Sequence, residues 1–468
     1  FIADQMGGTF TKEAGGFTVN VGGYEIKGTD NGGVTVNGEA ADVRNCIYKN
    51  ASYIDIKAFE KTGKYVYVGE NVFAICNYAV DGSMDNYFDN FGIYVSNNGN
   101  DTNSGRANSP LKSFEKALEK VDENDSFEDN RIYVMGGEYF IDKTIDISNK
   151  KNLTIENYAN ERVALKGSIK LDKEDFVSAD PAELPNTMSD KVKSKIKKLD
   201  LNKYIDVKSA RQLGYNNYYK VYENKTADVL ARYPNAEYTA ECRKAGQSVS
   251  NGFTLNDRVA KWGDVSNAWI GGALIAPFFY NRFYIHKNTE NTFVLEEKDT
   301  KCDVEDTNIV VYNIFEELDL PGEWYIDPES GTLYLYPTSD LGNVEITVAD
   351  SSILNIENSE NIKISDIEIG WNNKTAVLIN SSKDVKIDSV TIRATSGYGV
   401  IMSDSQRAAV KNSELYDIAM GGVKINASCG DSGKHIAGGC GIENCHIYNF
   451  ADENSNMAGV DLQGIGNF

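Results

Sequence analysis

The stretch ILNIENSENIKISDIEIGWNNKTAVLINSSKDVKIDSVTIRATSGYGVIMSDSQRAAVKNSELYDIAMGGVKI (353–425) repeats itself at a step of 23 residues. Leu354, Val377, Val400 and Val423 fall in one column, and Ile356, Ile379, Met402 and Ile425 fall two places on. Later in each unit Ile364, Ile387 and Val410 align, as do Ile369, Ile392 and Leu415. After 9 extra residues, Ile442 and Ile447 resume the same two places at a step of 32. Within each unit the apolar residues come as i, i+2 pairs, which is strand spacing. Strands repeated every ~20–25 residues without hairpin turns describe the coils of a parallel β-helix. A β-sandwich also alternates, but with variable spacing and two-residue turns. Four columns held at one step are hard to obtain that way.

The register also says which side chains point outward. Val377, Val400, Val423 and Val460 share the inward column, so Leu378, Ile401, Lys424 and Asp461 share the outward one. A face covered by the inserted domain, residues 171–345, is expected to be apolar, as at Leu378 and Ile401, and an open groove polar. A site is therefore expected to begin near Lys424 and Asp461. The plainer reading is a solvated Lys–Asp pair, which contributes little stability.

Working outward, residues 346–468 are the later coils and 91–170 an entry cap followed by the first coils. In 91–122 a strand (Ile93 to Val95) precedes a polar loop. A helix follows, with Leu111, Phe114, Ala117, Leu118 and Val121 on one face and Ser109-Pro110 as its start. The first coils carry Ile132/Val134, Ile145/Ile147, Leu153/Ile155 and Val163/Leu165. Residues 171–345 lose the register and read as an inserted, mostly-β domain, because insertions in solenoids sit on loops of one face. Residues 1–85 alternate like strands, with a strand running into a short helix at "NASYIDIKAFEKTG", and form a small separate domain. The expected class is all-β: a parallel β-helix with a helix cap, an inserted β-barrel-like domain and a small N-terminal α+β domain.

The chain has 468 residues with 41 Gly, 27 Tyr and only 8 Pro, a turn-rich β composition. A net charge of −22 argues against a nucleic-acid partner, since nothing would neutralise phosphates. No run of 18 apolar residues is present to span a membrane. Seven Cys give no disulfide framework. Both ends read as cuts, so further coils, and part of the site, are expected beyond Phe468.

Two resemblances add to this reading. Val36-Asn37-Gly38 and Tyr53-Ile54-Asp55-Ile56-Lys57-Ala58-Phe59 resemble the copper-amine-oxidase-like stalk domain of bacterial surface and secreted proteins. No copper site follows, since the first His is His286. "ARYPN" (231–235), "LDLPGEWYIDPESGTLYLYP" (318–337) and "GGVKI…GD…IENCHIYNF…AGVDLQGIGN" (421–467) resemble right-handed, pectate-lyase-like β-helix glycoside hydrolases of the family 141 type, which carry an inserted β-barrel. That resemblance implies an extracellular bacterial glycosidase with a polysaccharide or glycan as partner and cell-wall association. It leaves the sugar open.

Glycoside hydrolysis needs two carboxylic acids across the scissile bond. The expected catalytic pair is Asp431, in the expanded turn "SCGDSGKH", and Asp461. Lys424, Lys434 and His446 are the expected substrate-binding residues. The family places Arg after the first Asp, where this chain has Ser432, and a second His where it has Tyr448. No metal or other cofactor is expected. Asp101-x-Asn103-x-Gly105 opens like a Ca²⁺ loop but lacks the later Glu. Cys429, His435, Cys440, Cys445 and His446 fit no standard zinc spacing. A polysaccharide lyase on the same scaffold, or a non-catalytic carbohydrate-binding surface protein, are the alternatives.

Overall fold

The computed structural model describes residues 9–13, 16–21, 23–29, 34–41, 45–48, 51–54, 65–68, 73–76, 92–123, 130–213, 219–235, 248–249, 252–255, 257–276, 279–296, 309–427, 438–451, 457–464 and 466–468. The chain divides into two compact units, 1–93 with 104–110, and 94–103 with 111–468.

The first unit contains a five-stranded antiparallel sheet from Thr9–Glu13 to Glu39–Ala41, closed around Phe17, Val19, Ile26, Val34 and Val36. Asn45–Tyr48 with Ala51–Ile54, and Tyr65–Val68 with Phe73–Cys76, form two further hairpins. The short helix expected after Ile54 lies outside the described residues.

The second unit is built on a parallel β-helix with three faces. The first face stacks Ile145–Ser148, Leu354–Glu357, Val377–Asn380, Val400–Ser403, Val423–Ala427 and Val460–Gly464. The second stacks Asn130–Val134, Lys151–Asn157, Glu360–Ser365, Lys383–Asp388, Ala409–Lys411 and Gly441–Glu443. The third stacks Gly137–Phe140, Val163–Lys166, Glu368–Asn372, Thr391–Thr395, Glu414–Ile418 and His446–Phe450. Register partners are those of the repeat: Leu354–Val377–Val400–Val423 on the first face and Ile369–Ile392–Leu415–Ile447 on the third.

Inward columns are fully buried, as at Val377, Val400, Val423, Ile392 and Leu415. Each such side chain contributes roughly 1.5–3 kcal/mol by leaving water. Val460 keeps the register but is 39% exposed, because its strand is the edge of its sheet. Asp366, Ser389, Asn412 and Asn444 turn the second face into the third with positive φ. Asn444 donates to Asn412, and Asn412 to Asp388, each at 2.9 Å.

The cap helix differs from expectation. It spans Phe114–Glu123, and Ser113, not Ser109, caps it by accepting from Lys116 N at 3.1 Å. Leu111 precedes the helix because its backbone is committed elsewhere. It bridges Val95, and its N–H donates to Tyr94 O at 2.8 Å. Asp101 Oδ1 accepts from the Lys112 and Ser113 amides at 2.9 and 2.8 Å.

The repeat is interrupted between Lys166 and Leu354. The chain leaves and returns through an antiparallel pair, Ser168–Leu171 with Val344–Thr347. The crossing is tight: a Cβ on Gly167 would lie 2.7 Å from that of Ala349 and 2.9 Å from Trp371 O. The described residues from 168 to 347 form three sheets, the neck's own included. Val221–Glu223 and Thr226–Ala227 extend the neck, Glu323–Asp327 and Thr332–Tyr336 centre a second sheet, and Trp269–Ala276 and Phe279–Thr289 centre a third. The register stops at the neck and resumes intact, since Ile145 pairs with Leu354 and Leu165 with Ile369.

Candidate active site

The first face presents two outward columns. One runs Asp146, Asn355, Leu378, Ile401, Lys424, Asp461, and the other Ser148, Glu357, Asn380, Ser403, Asn426, Gln463. In the last two coils the first column becomes charged. Lys424 Nζ stands 3.7 Å from Asp461 Oδ2, with the side chains 32% and 30% exposed. Gln463 Nε2 donates to Asp461 Oδ1 at 3.4 Å. The structure thus brings together two of the expected site residues, on adjacent coils.

Beside this pair lies a corner of small residues: Tyr398-Gly399, Gly421-Gly422 and Ala458-Gly459 lead into three successive first-face strands. Tyr398 lies in the space they leave. A Cβ on Gly421 would come within 2.6 Å of its ring and 2.4 Å of Ala458 O. The Lys424 ammonium sits 5.6 Å from the ring centroid, within the range of a cation–π contact. The Tyr398 hydroxyl donates to Met457 Sδ at 3.2 Å. Burial first, and then the charge of Asp461, raises the Tyr398 phenol above its ordinary pKa. Tyr398, Lys424 and Asp461 form one cluster. Sequence reading missed Tyr398, although Gly421 and Ala458 stand in its own register column.

Asp431 and Lys434 lie outside the described residues, as do Cys429 and His435. The strand Val423–Ala427, which carries Lys424, leads into that expanded turn. His446 is described and falls on the third face, opposite Glu414. It is 73% exposed, its Nδ1 is 3.7 Å from Glu414 Oε1, and it packs on Tyr448. Its strand belongs to a different sheet from Lys424 and Asp461, so it does not join their cluster. Among the described residues no three His, Cys, Asp or Glu come together as metal ligands. No described helix is long and apolar enough to cross a membrane.

One expectation is corrected. Leu378 and Ile401 were expected to lie under the inserted segment, but both are partly exposed. The described contacts of that segment gather on the third face, because the neck leaves the third-face strand Val163–Lys166, while Lys208 Nζ reaches Asp350 Oδ2 at 3.5 Å on the link to Leu354. On the third face Arg393 Nη2 donates to Lys225 O at 3.1 Å, and Nη1 to the Tyr416 hydroxyl at 2.7 Å. The Arg393 guanidinium lies 4.7 Å from the Trp371 ring centroid. Trp371 is buried with Tyr222 and Ala394, and Lys166 binds Glu345. Tyr416 stacks on Tyr448 with centroids 5.0 Å apart.

Comparison with known proteins agrees with this fold. Residues 326–464 match the family described as the right-handed beta helix region. No curated protein matches the chain. A solved glycoside hydrolase structure aligns with TM-score 0.61 and 15% identity, covering 78% of this chain and 75% of that one. A complex of XylC with xylose aligns at TM-score 0.42 and 14% identity, covering 79% and 56%. The Gp54 tailspike of Acinetobacter baumannii bacteriophage AP22, in complex with a capsular saccharide, aligns at TM-score 0.24 and 9% identity, covering 78% and 48%. This chain spans about half the length of those last two, and at these scores they carry no structural argument. The family match and the stacking of the three faces establish the fold as a right-handed parallel β-helix.

Proposed function

We propose that the protein is a carbohydrate-active enzyme that hydrolyses glycosidic bonds of a polysaccharide or glycan on the first face. The observation that carries this reading is the Lys424–Asp461 pair beside Tyr398, in an outward column whose preceding residues are Leu378 and Ile401. An aromatic ring flanked by a few convergent polar groups suits a sugar. Hydrolysis needs a second carboxyl group across the bond. Asp431 takes that part, on the turn that follows the Lys424 strand, and Lys434 on the same turn binds substrate. Coils stack at about 4.8 Å, so a carboxyl group one coil from Asp461 would meet the retaining separation of roughly 5 Å, and one two coils away the inverting separation. The finer assignment we propose is a family 141-type glycoside hydrolase, secreted or held at a bacterial surface, with residues 1–85 as a stalk domain.

The test is release of reducing sugar from a panel of polysaccharides. A glycosidase releases it without growth of unsaturated-uronide absorbance, whereas a lyase produces that absorbance. Saccharide binding with neither signal would leave a non-catalytic surface protein. In the active protein, Asp431→Asn and Asp461→Asn should each lower release by roughly 10²–10⁴-fold at unchanged thermal stability. If both variants stay fully active, the assignment of the site fails.

A further inference from the structure

The hairpin that touches Arg393 carries two acidic side chains at its base. Tyr222 pairs with Ala227 and Glu223 with Thr226, and the Asp228 N–H donates to Val221 O at 2.8 Å. In an antiparallel pair, opposite residues share a face, and the face alternates along each strand. Val221 and Asp228 therefore point to one side, and Glu223, two residues from Val221, points to that same side. Diagonal neighbours of this kind lie within side-chain reach. Glu223 is 2% exposed. Its Oε2 accepts from Thr338 N and Oγ1 at 2.9 and 3.2 Å, but Oε1 is buried without a partner. Asp228 Oδ2 is likewise buried without a partner. Two such acceptors cost desolvation free energy, and two carboxylates so placed repel each other.

We propose that Asp228 keeps its proton in the folded protein and donates it to Glu223 Oε1, closing the base of the hairpin with a carboxyl–carboxylate hydrogen bond. One proton satisfies both orphaned oxygens and removes one of two buried charges. The surroundings agree. Burial, and then the charge of Glu223, pushes Asp228 up to about 8. Glu323, opposite Val229 on the neighbouring strand, is a second buried carboxyl pushed up to about 7, but its Oε2 is held by the Asp319 and Leu320 amides at 2.9 and 2.8 Å. Trp324 Nε1 is directed to Asp228 O at 3.4 Å, and Gly322 offers bare backbone. Glu345, opposite Tyr222, is bound by Lys166 and Ser168. The charge of Lys225 acts on Glu138 of the β-helix.

The hairpin tip supplies Lys225 O to Arg393, so the shared proton holds the element that docks the inserted segment on the third face. It is an acid-set latch. The folded pKa lies above the unfolded carboxylate value of about 3.9. The contribution is therefore whole below that value, declines as pH rises, and is lost once pH passes about 8.

The test compares the full chain with Asp228→Asn, which keeps a donor at the same place but cannot titrate. The wild-type minus variant infrared spectrum should contain a protonated-carboxyl band at pH 6 that fades by pH 9, the subtraction removing the band of Glu323, which burial pushes up to about 7. The unfolding midpoint of the variant should gain on that of the wild type between pH 4 and pH 8, by about 5 °C or more, and the gap should then level off. Absence of the band at pH 6, or a gap that does not change with pH, overturns the proposal. So does a rise in midpoint with added Ca²⁺ that requires both carboxylates, since the pair would then hold a cation and not a proton.

Discussion

Behind the first face lie Val377, Val400 and Val423, and behind the third lie Ile369, Ile392 and Leu415, all fully buried. The two faces share one kind of interior and differ outside. On the third, Arg393 is clamped between Trp371, Tyr416 and the backbone of the inserted segment. On the first, the charged side chains of the last two coils engage each other, with a buried tyrosine beside them. The scaffold thus assigns its faces different work. The third secures the chain's own insertion, and the first keeps polar groups at an accessible surface.

Six substitutions break or sharpen this contrast. Asp461→Asn should lower turnover by roughly 10²–10⁴-fold, the usual contribution of an acid or base group, with the melting temperature unchanged. His446→Ala, on the other face, should change turnover by less than about threefold, well under the contribution of such a group. Equal loss from both would erase the distinction. Ile379→Ala and Ile392→Ala, behind the first and third faces, should each cost about 2–5 kcal/mol in denaturant unfolding. A large inequality would mean that the interiors differ after all.

Arg393→Ala should cost roughly 1–3 kcal/mol, because Tyr416 and Lys225 lose a charged hydrogen-bond donor. Its signature is earlier proteolysis of residues 171–345, with the coils still folded. Gly421→Ala should cost a similar or smaller amount, roughly 1–3 kcal/mol from overpacking against Tyr398. It should also disturb the first face selectively, read as altered saccharide binding with third-face amide exchange unchanged.

The coils were legible because a period of 23 fixes inside and outside without coordinates, and Lys424 beside Asp461 followed from that alone. Tyr398 was equally available in the register. It carries no charge to mark it, and only the Gly421 and Ala458 that continue its column show that the ring has room beside it. The Arg393 clamp was not legible. Its partner Lys225, and Tyr222 packed against Trp371, belong to a segment with no period, and antiparallel pairings there join residues at irregular separations. Trp371, Ala394, Asp417 and Asn449 form a column of positive φ on the third face. Trp and Ala give no composition signal for that backbone. The helix start was misread because nothing local says that Leu111 bridges Val95.

The neck at Gly167 has a consequence for how the molecule could be rebuilt and how it assembles. Ile145 and Leu354 are neighbours in one sheet though 209 positions separate them, and the entropy of closing so long a loop grows only logarithmically with its length. The solenoid is therefore tolerant of the detour's size. Replacing residues 171–343 with a short turn should leave the coils in register and speed their assembly, since the contacts between the two halves would become local. The winding itself carries no trace of the detour, since the coil before the neck and the coil after it stack strand on strand.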